Sequence, residues 1–250
     1  MQKISGTVIT LNEEHCIERC LQSMLGVVDE IIVVDSYSTD GTKKICENYG
    51  VRFIEHPFAG YVEQKNWALE QAENDIILSL DADEALSDEL RENILKIKKA
   101  WVDDGYYFSR TTHVGNTPIT HGSWFPDYKI RLWNRRKGKF GGTNPHDYVI
   151  MQPQAKVKRL KGTILHYSFA TIDDFYKQSK KFAQISAKAM YEKGKKITPV
   201  MQILKTIWAF YRSYILKFGF LDGKYGFLIS REIANYTYRK YSQLRIMYKK

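Results

Sequence analysis

Along the first hundred residues, short apolar runs alternate with segments whose apolar side chains recur every three to four positions, the marks of strands and helices respectively. Ile4–Leu11 is the first apolar run, and Ile17, Cys20, Leu21, Met24 and Leu25 follow at helical spacing, with Asn12 as the expected N-cap. Glu30–Asp35 (EIIVVD) is β-branched without alternation, as in a strand buried on both faces. The polar turn Ser36–Gly41, a helix to Tyr49 and a stop at Gly50 come next. The unit recurs as a strand over Val51–Glu55, a helix over Val62–Glu73, a strand over Asp75–Leu80 ending at Asp81, and a helix from the Ser87 cap to Ala100. Strands alternating with ten-residue helices predict right-handed crossovers, hence an α/β, Rossmann-like fold with a mostly parallel sheet flanked by helices. Ligands of such sheets bind beyond the carboxyl ends of the strands. Three of those ends are polar: Thr10–Glu14 (TLNEE), Asp35–Asp40 (DSYSTD) and Asp81–Glu84 (DADE).

The last eighty residues read differently. Thr171–Asp174 has the form of a capping box opening a helix to Lys193, and Pro199 sits near the first turn of a second helix. There Ile203, Leu204, Ile207, Trp208, Tyr211, Tyr214, Ile215 and Phe218 recur at helical spacing, punctuated by Lys205, Arg212 and Lys217. The expected organisation is an acidic α/β domain over 1–170 and a basic, amphipathic α-helical C-terminal region over 171–250. Charge sharpens the division: residues 1–150 carry 17 basic and 23 acidic side chains, whereas residues 151–250 carry 21 and 5. The formal net charge of +10 therefore belongs to the last hundred residues, and it points to an anionic partner, a membrane surface or a nucleic acid. A chain that is 44% hydrophobic, with 16 Gly and 6 Pro in 250 residues, excludes a disordered or fibrous protein. Cys16, Cys20 and Cys46 form no C-x-x-C pair and have no His at zinc-ligand spacing, which suits a reducing compartment. The first residues lack a signal-peptide run and no stretch reaches the ~18 apolar residues of a spanning helix, so a cytoplasmic protein is expected.

The chemistry is concentrated in Asp81-Ala-Asp83. Two carboxylates one residue apart, where a buried strand opens into a loop, can converge on one hard cation, Mg²⁺ or Mn²⁺, completed by phosphate oxygens and water. As a bare triplet it also suits a strand-end turn with acids in the first turn of the next helix. Asp35 closes the neighbouring strand in the same way, as an acidic strand end holds ribose in dinucleotide folds, so together the two ends suggest a nucleotide site. Neither G-x-G-x-x-G nor a P-loop occurs, nor G-x-S-x-G, nor H-E-x-x-H, which sets aside dinucleotide, P-loop, serine-hydrolase and zinc-protease signatures.

Taken together, the TLNEE run, Asp35–Thr42 (DSYSTDGT), Gln64-Lys-Asn66 and Ser79–Glu84 resemble the ordered motifs of inverting family-2 glycosyltransferases of GT-A-like fold. More narrowly they are similar to the lipopolysaccharide-core β-glucosyltransferase group, whose later features resemble Pro126–Trp133, Gly141–Asp147, His166 and Gly219–Phe227. Asn144–Asp147 departs from the Val-His-Glu of that group. The resemblance implies a metal-dependent transfer of glucose from UDP-glucose, with inversion, to a lipid-linked saccharide acceptor, as in lipopolysaccharide or cell-envelope synthesis. It implies an enzyme peripheral on the inner face of the cytoplasmic membrane. By the same resemblance Thr10, Asn12, Glu13, Asp35, Ser36 and Asp40 would line the nucleotide-sugar pocket, with Asp35 at the uracil edge. Lys65 and Asn66 would approach ribose or diphosphate, Asp83 and His166 would hold the divalent metal, and Asp81 would hold ribose or a metal-bound water. An inverting transfer needs one carboxylate base; Asp147 is the candidate and Asp127 the alternative, while Arg131 either holds an anionic acceptor or faces solvent. A nucleotidyltransferase on a related fold lacks its glycine-rich loop here. A noncatalytic nucleic-acid-binding protein would account for the charge but not for Asp35, Asp81 and Asp83 at adjacent strand ends in an acidic body, and no nucleic-acid motif accompanies the charge.

Overall fold

The computed structural model describes residues 1–144 and 146–248, which fall into two compact units: Met1–Arg110 with Asp127–His166, and Thr111–Pro126 with Tyr167–Lys250. In the first unit β1 (Ile4–Thr10), β2 (Glu30–Asp35), β3 (Arg52–Glu55) and β4 (Ile76–Asp81) are joined through α1 (Ile17–Met24), α2 (Thr42–Asn48) and α3 (Tyr61–Gln71). They pair in parallel in the order β3-β2-β1-β4. The register sets Thr10 beside Asp35 and Ile9 beside Asp81, so the three polar strand ends lie along one edge.

Beyond β4 the sheet changes sense. After β5 (Glu84–Leu86) and α4 (Asp88–Lys99), β6 (Gly105–Val114) and β8 (Asp127–Asn134) pair antiparallel, β8 runs antiparallel to β4, and β11 (Val157–Phe169) runs antiparallel to β5. The short β7 (Thr117–Pro118) pairs with β6, and β9 (Gly138–Thr143) with β10 (His146–Met151) makes a separate hairpin. The α/β architecture with flanking helices is present, with its parallel order confined to four strands, while β4–β8, β6–β8, β6–β7 and β5–β11 pair antiparallel. The reason is in the connections: β1 to β4 are linked by helices that carry the chain back across the sheet, whereas among the described residues no helix longer than one turn separates β6, β8, β9, β10 and β11.

Alternate residues of β2 and β4 feed two cores on opposite faces of the sheet. Val33 and Leu78 join Ile4, Leu21, Met24 and Ile94 on one side, while Ile32, Val34 and Ile77 meet Ala68, Trp133 and Phe140 on the other. Burial on both faces explains why EIIVVD carries no alternation. Asn12 does not cap α1: the helix begins after Cys16 without a side-chain cap, and Asn12, at φ 56°, uses its side-chain oxygen to accept the Thr39 N–H at 2.8 Å.

In the second unit α5 (Ile172–Glu192) opens with the reciprocal Thr171–Asp174 capping box, and α6 (Pro199–Tyr211) with Thr198 accepting the Met201 N–H. The regular helix stops at Tyr211, earlier than the expected run to Phe218. Arg212–Leu216 is a π-helical turn and Phe218 lies at φ 56°. The 25-residue α7 (Gly223–Met247) lies within the expected helical region 171–250, where the apolar spacing bounds only two helices. The Gly219–Phe227 run has a packing role: a Cβ on Gly226 would lie 1.7 Å from the Gly219 carbonyl oxygen. Asp222 accepts from the His121 N–H at 2.8 Å and from the Thr120 hydroxyl at 2.9 Å. Among the described residues no helix is long and apolar enough to cross a membrane.

Candidate active site

Beyond the carboxyl ends of β4 and β1 the side chains build a row of alternating charges. Lys65, brought in by α3 and only 3% exposed, places its Nζ 2.7 Å from both Asp147 Oδ2 and Asp81 Oδ1. Asp81 Oδ2 accepts from Arg131 Nη2 at 2.8 Å, and the same nitrogen reaches Glu84 Oε1 at 2.9 Å. Glu84, wholly buried, also holds Arg110 at 3.1 Å, and Arg110 holds Asp127 at 2.8 Å, with Lys129 at 3.2 Å from the other Asp127 oxygen. Four acids thus face four bases. Burial works to raise the Asp81 carboxyl, yet Arg131 and Lys65 outweigh it and hold the group far below the usual carboxylate range. Burial likewise opposes the charge of Arg131, and Asp81 and Glu84 more than restore it.

Asp83 stands outside this compensated row. The turn after β4 sends it to His166 of β11, whose Nε2 lies 3.1 Å from Asp83 Oδ2. Glu13, on the loop after β1, has its carboxyl pushed up to about 7, first by burial and then by the negative charges of Asp83 and Asp40. The neighbouring Cys16 thiol is raised as well, by burial and by Glu13, so it is not an activated nucleophile. A carboxyl that keeps its proton near neutrality beside other acids marks a place where positive charge is wanted. Among the described residues no three His, Cys, Asp or Glu side chains converge as a closed metal cluster. A carboxylate with one imidazole instead suits an open site, at which ligand oxygens and water complete the shell of a divalent cation.

The remaining candidates have well-defined partners. Asp35, 1% exposed, accepts the Ser38 N–H at 2.6 Å and the Ser38 hydroxyl at 2.5 Å, so both oxygens hold the turn. Asp40 accepts from the Thr42 amide and hydroxyl and from the Glu14 amide, tying the loops after β1 and β2 together. Ser36 accepts from Gln64 at 3.2 Å. Asn66 mimics a backbone partner for β9: its amide donates to the Phe140 carbonyl at 2.9 Å and accepts the Phe140 N–H at 3.0 Å. The buried Thr10 hydroxyl has no hydrogen-bond partner, an orphan at the strand end. Arg131 lies among carboxylates and does not face solvent. Pro145 of the Gly141–Asp147 run lies outside the described residues.

Sequence reasoning gave no role to Glu84, Arg110 or Lys129, which complete the charge row. A signal existed: an acid directly after Asp-x-Asp at a strand end, facing strands that carry Arg110 and Arg131, requires buried counter-ions.

Known proteins resemble this chain along most of its length. The chain is 32% identical to a protein of Rickettsia felis described as an uncharacterized glycosyltransferase, over 98% of this chain and 90% of that one. It is 29% identical to the lipopolysaccharide core biosynthesis glycosyltransferase LpsC of Rhizobium meliloti, over 77% and 73% of the two chains. Among solved structures, S. aureus TarS 1–349 in complex with UDP covers 98% of this chain and 92% of its own at 17% identity, with a TM-score of 0.47. Residues 6–159, which contain most of β1, all of β2 to β4, and Asp81, Asp83, Lys65, Asp127 and Asp147, match the glycosyl transferase family 2 model, and the chain belongs to that family of glycosyltransferases.

Proposed function

We propose that the protein moves glucose from UDP-glucose, with inversion, onto a saccharide carried by a membrane lipid, in a metal-dependent reaction. The observation that carries the reading is the Asp83–His166 pair, 3.1 Å apart beside the raised Glu13 carboxyl, two residues along from the ion-paired Asp81. The donor set fits Mg²⁺ or Mn²⁺. Asp83 and His166 would hold the cation, which when bound supplies positive charge to the departing diphosphate. Lys65 adds a second positive group, already desolvated and aimed by Asp81 and Asp147, for diphosphate oxygens. Thr10, Asn12, Glu13, Ser36 and Asp40 shape the nucleoside side, and Asp35 acts there by fixing the Ser38 turn.

Asp147 is the proposed base. The acceptor hydroxyl attacks the anomeric carbon, its proton passes to the Asp147 carboxylate, and the bond from that carbon to the diphosphate oxygen breaks. Asp147 is one cation away from Asp81 through Lys65, whereas Asp127 reaches Asp81 only through Arg110, Glu84 and Arg131, and two cations already hold it. Kinship with LpsC supports a core-saccharide acceptor, and the basic C-terminal helices support a membrane surface as its location, on the inner face of the cytoplasmic membrane.

The test is a screen of nucleotide sugars for metal-stimulated hydrolysis and transfer. Asp83→Asn should keep the fold and lose metal-dependent turnover by ~100-fold or more. Asp147→Asn should retain UDP binding and lose ~10²–10⁴ in transfer, as for removal of a general base. Turnover near wild type in Asp83→Asn removes the metal reading. The binding-without-transfer pattern in Asp127→Asn, and not in Asp147→Asn, reassigns the base.

A further inference from the structure

The helix α6 is built inside out. Along α6 and the turn that follows it, Gln202, Thr206, Ala209 and Ser213 turn inward at spacings of four, three and four residues, with Phe210 half-buried against Phe227 of α7, while Val200, Ile203, Leu204, Ile207, Trp208 and Tyr211 face outward. Gln202 is 2% exposed and fully bonded against α7: it donates to the Tyr238 carbonyl at 3.1 Å and the Ser242 hydroxyl at 2.6 Å, and accepts from Arg245 at 3.0 Å. Ser213 meets Ser230 of α7 hydroxyl to hydroxyl at 2.9 Å. By contrast Ile207 is 61% exposed and Leu204 55%, and the apolar surface continues through Ile215, Leu216, Phe218 and Leu221. A helix in water does the reverse, turning its apolar stripe to the core. Small and polar residues between helices, with apolar side chains outward, are the arrangement of helices whose surroundings are hydrocarbon.

We infer that α6 and the turns that follow it, residues 200–221, insert into one leaflet of a bilayer to the depth of the acyl chains, anchoring the enzyme from one side. This deepens, and rests on, the reading of the C-terminal region as the membrane-facing part. The occupant is lipid and not a second copy because of charge. Between Glu192 and Asp222 the chain has no acidic residue, while Lys193, Lys195, Lys196, Lys205, Arg212 and Lys217 lie among or beside the apolar positions. In a two-fold dimer this patch would meet itself, bringing like charges together. Against an anionic leaflet the same lysines and arginines lie at the headgroups, and Trp208 and Tyr211 occupy the interface that amphipathic rings prefer. The thirteen residues of α6 are too short to span, which fits an element lying in the membrane plane.

Insertion and surface attraction differ in their response to salt and in depth. The full-length protein is mixed with vesicles of phosphatidylcholine alone and of phosphatidylcholine with phosphatidylglycerol, at low salt and at ~1 M salt, where the Debye length falls to ~3 Å. Tryptophan fluorescence is read with bromine placed on the acyl chains. Binding should persist in high salt and to the uncharged vesicles. Acyl-chain bromine should quench fluorescence, and Trp208→Phe should lose that quenching. Ile203→Glu and Ile207→Glu, both at exposed positions and checked for unchanged melting, should each weaken partitioning at least ~10-fold, the scale of one apolar side chain kept in water. Binding abolished by salt, or binding without acyl-chain quenching, overturns insertion in favour of surface attraction. Absence of binding together with concentration-dependent dimerisation assigns the face to a second copy. Metal-stimulated hydrolysis of the nucleotide sugar, measured without vesicles, tests the catalytic reading separately: its loss with intact vesicle binding sinks that reading alone.

Discussion

Replacing Lys65 by Met removes one buried charge while keeping most of the stem that packs beside the Phe140 ring, over which Nζ lies at 5.3 Å. The ammonium is 3% exposed and 2.7 Å from a carboxylate oxygen on each side, so its loss leaves Asp147 without this counter-ion and Asp81 with Arg131 alone. Breaking a buried pair from one side costs about 3–5 kcal/mol. Because Arg131 still bonds Asp81, the lower end applies, about 3 kcal/mol, a large share of a stability of about 5–15 kcal/mol. The pH dependence follows from the direction of the Asp81 shift. Its folded-state carboxyl is held below the ordinary value of 3.8, so its contribution is fully present above that value and is lost as the pH falls through the folded-state value. The gap between wild type and Lys65→Met should therefore be full at neutral pH and narrow below about pH 4. Urea unfolding at several pH values measures it. In the double variant Lys65→Met/Asp81→Asn, the combined loss should fall short of the sum of the two single losses by about 1 kcal/mol or more, because the two side chains act on one another. A loss below about 1 kcal/mol at neutral pH, or a gap that stays constant into acid, would refute the argument that this charge row is a buried, mutually dependent unit.

The raised Glu13 carboxyl makes the opposite prediction. Its folded-state value of about 7 lies above the ordinary 4.5, so the folded protein loses stability as pH rises from 4.5 through 7. Glu13→Gln should remove about 1–2 kcal/mol of that slope, discounted for partial solvent access, and identical wild-type and variant unfolding curves at pH 5 and pH 8 would contradict the shift. In the helical unit, Gly226→Ala puts a methyl against the Gly219 carbonyl and should cost about 3 kcal/mol or more. Gly223→Ala, at φ 56° with nothing within 4 Å, should cost about 1–2 kcal/mol in backbone strain; equal melting temperatures for the two would refute the close approach.

The sequence by itself determined what depends on neighbours along the chain. The strands β1 to β4 and the helices between them were legible because burial on both faces leaves an unbroken β-branched run such as EIIVVD, and because crossover helices keep a 3.6-residue period. The Thr171 capping box and the Ser87 cap were legible because their partners lie three residues away. The three polar strand ends followed from the same local pattern, since parallel strands joined by helices bring their carboxyl ends to one edge.

What only the tertiary structure decided depends on partners far along the chain. Asn12 looked like a cap by its place before a helix, yet its hydrogen bond goes to Thr39, which no periodicity couples to it. The antiparallel half of the sheet was hidden because strands joined by turns can pair either way round without changing their composition. Lys65 meets Asp147 across 82 residues and Arg131 meets Glu84 across 47, so the charge row has no sequence signature beyond the unmatched acids themselves. The amphipathic pattern of α6 located a helix but could not say which stripe faced inward. That was settled by α7, whose Tyr238 carbonyl, Ser242 and Arg245 give Gln202 its partners and leave Ile203, Leu204 and Ile207 outside, because a buried amide must be bonded whereas an exposed apolar side chain has no such requirement.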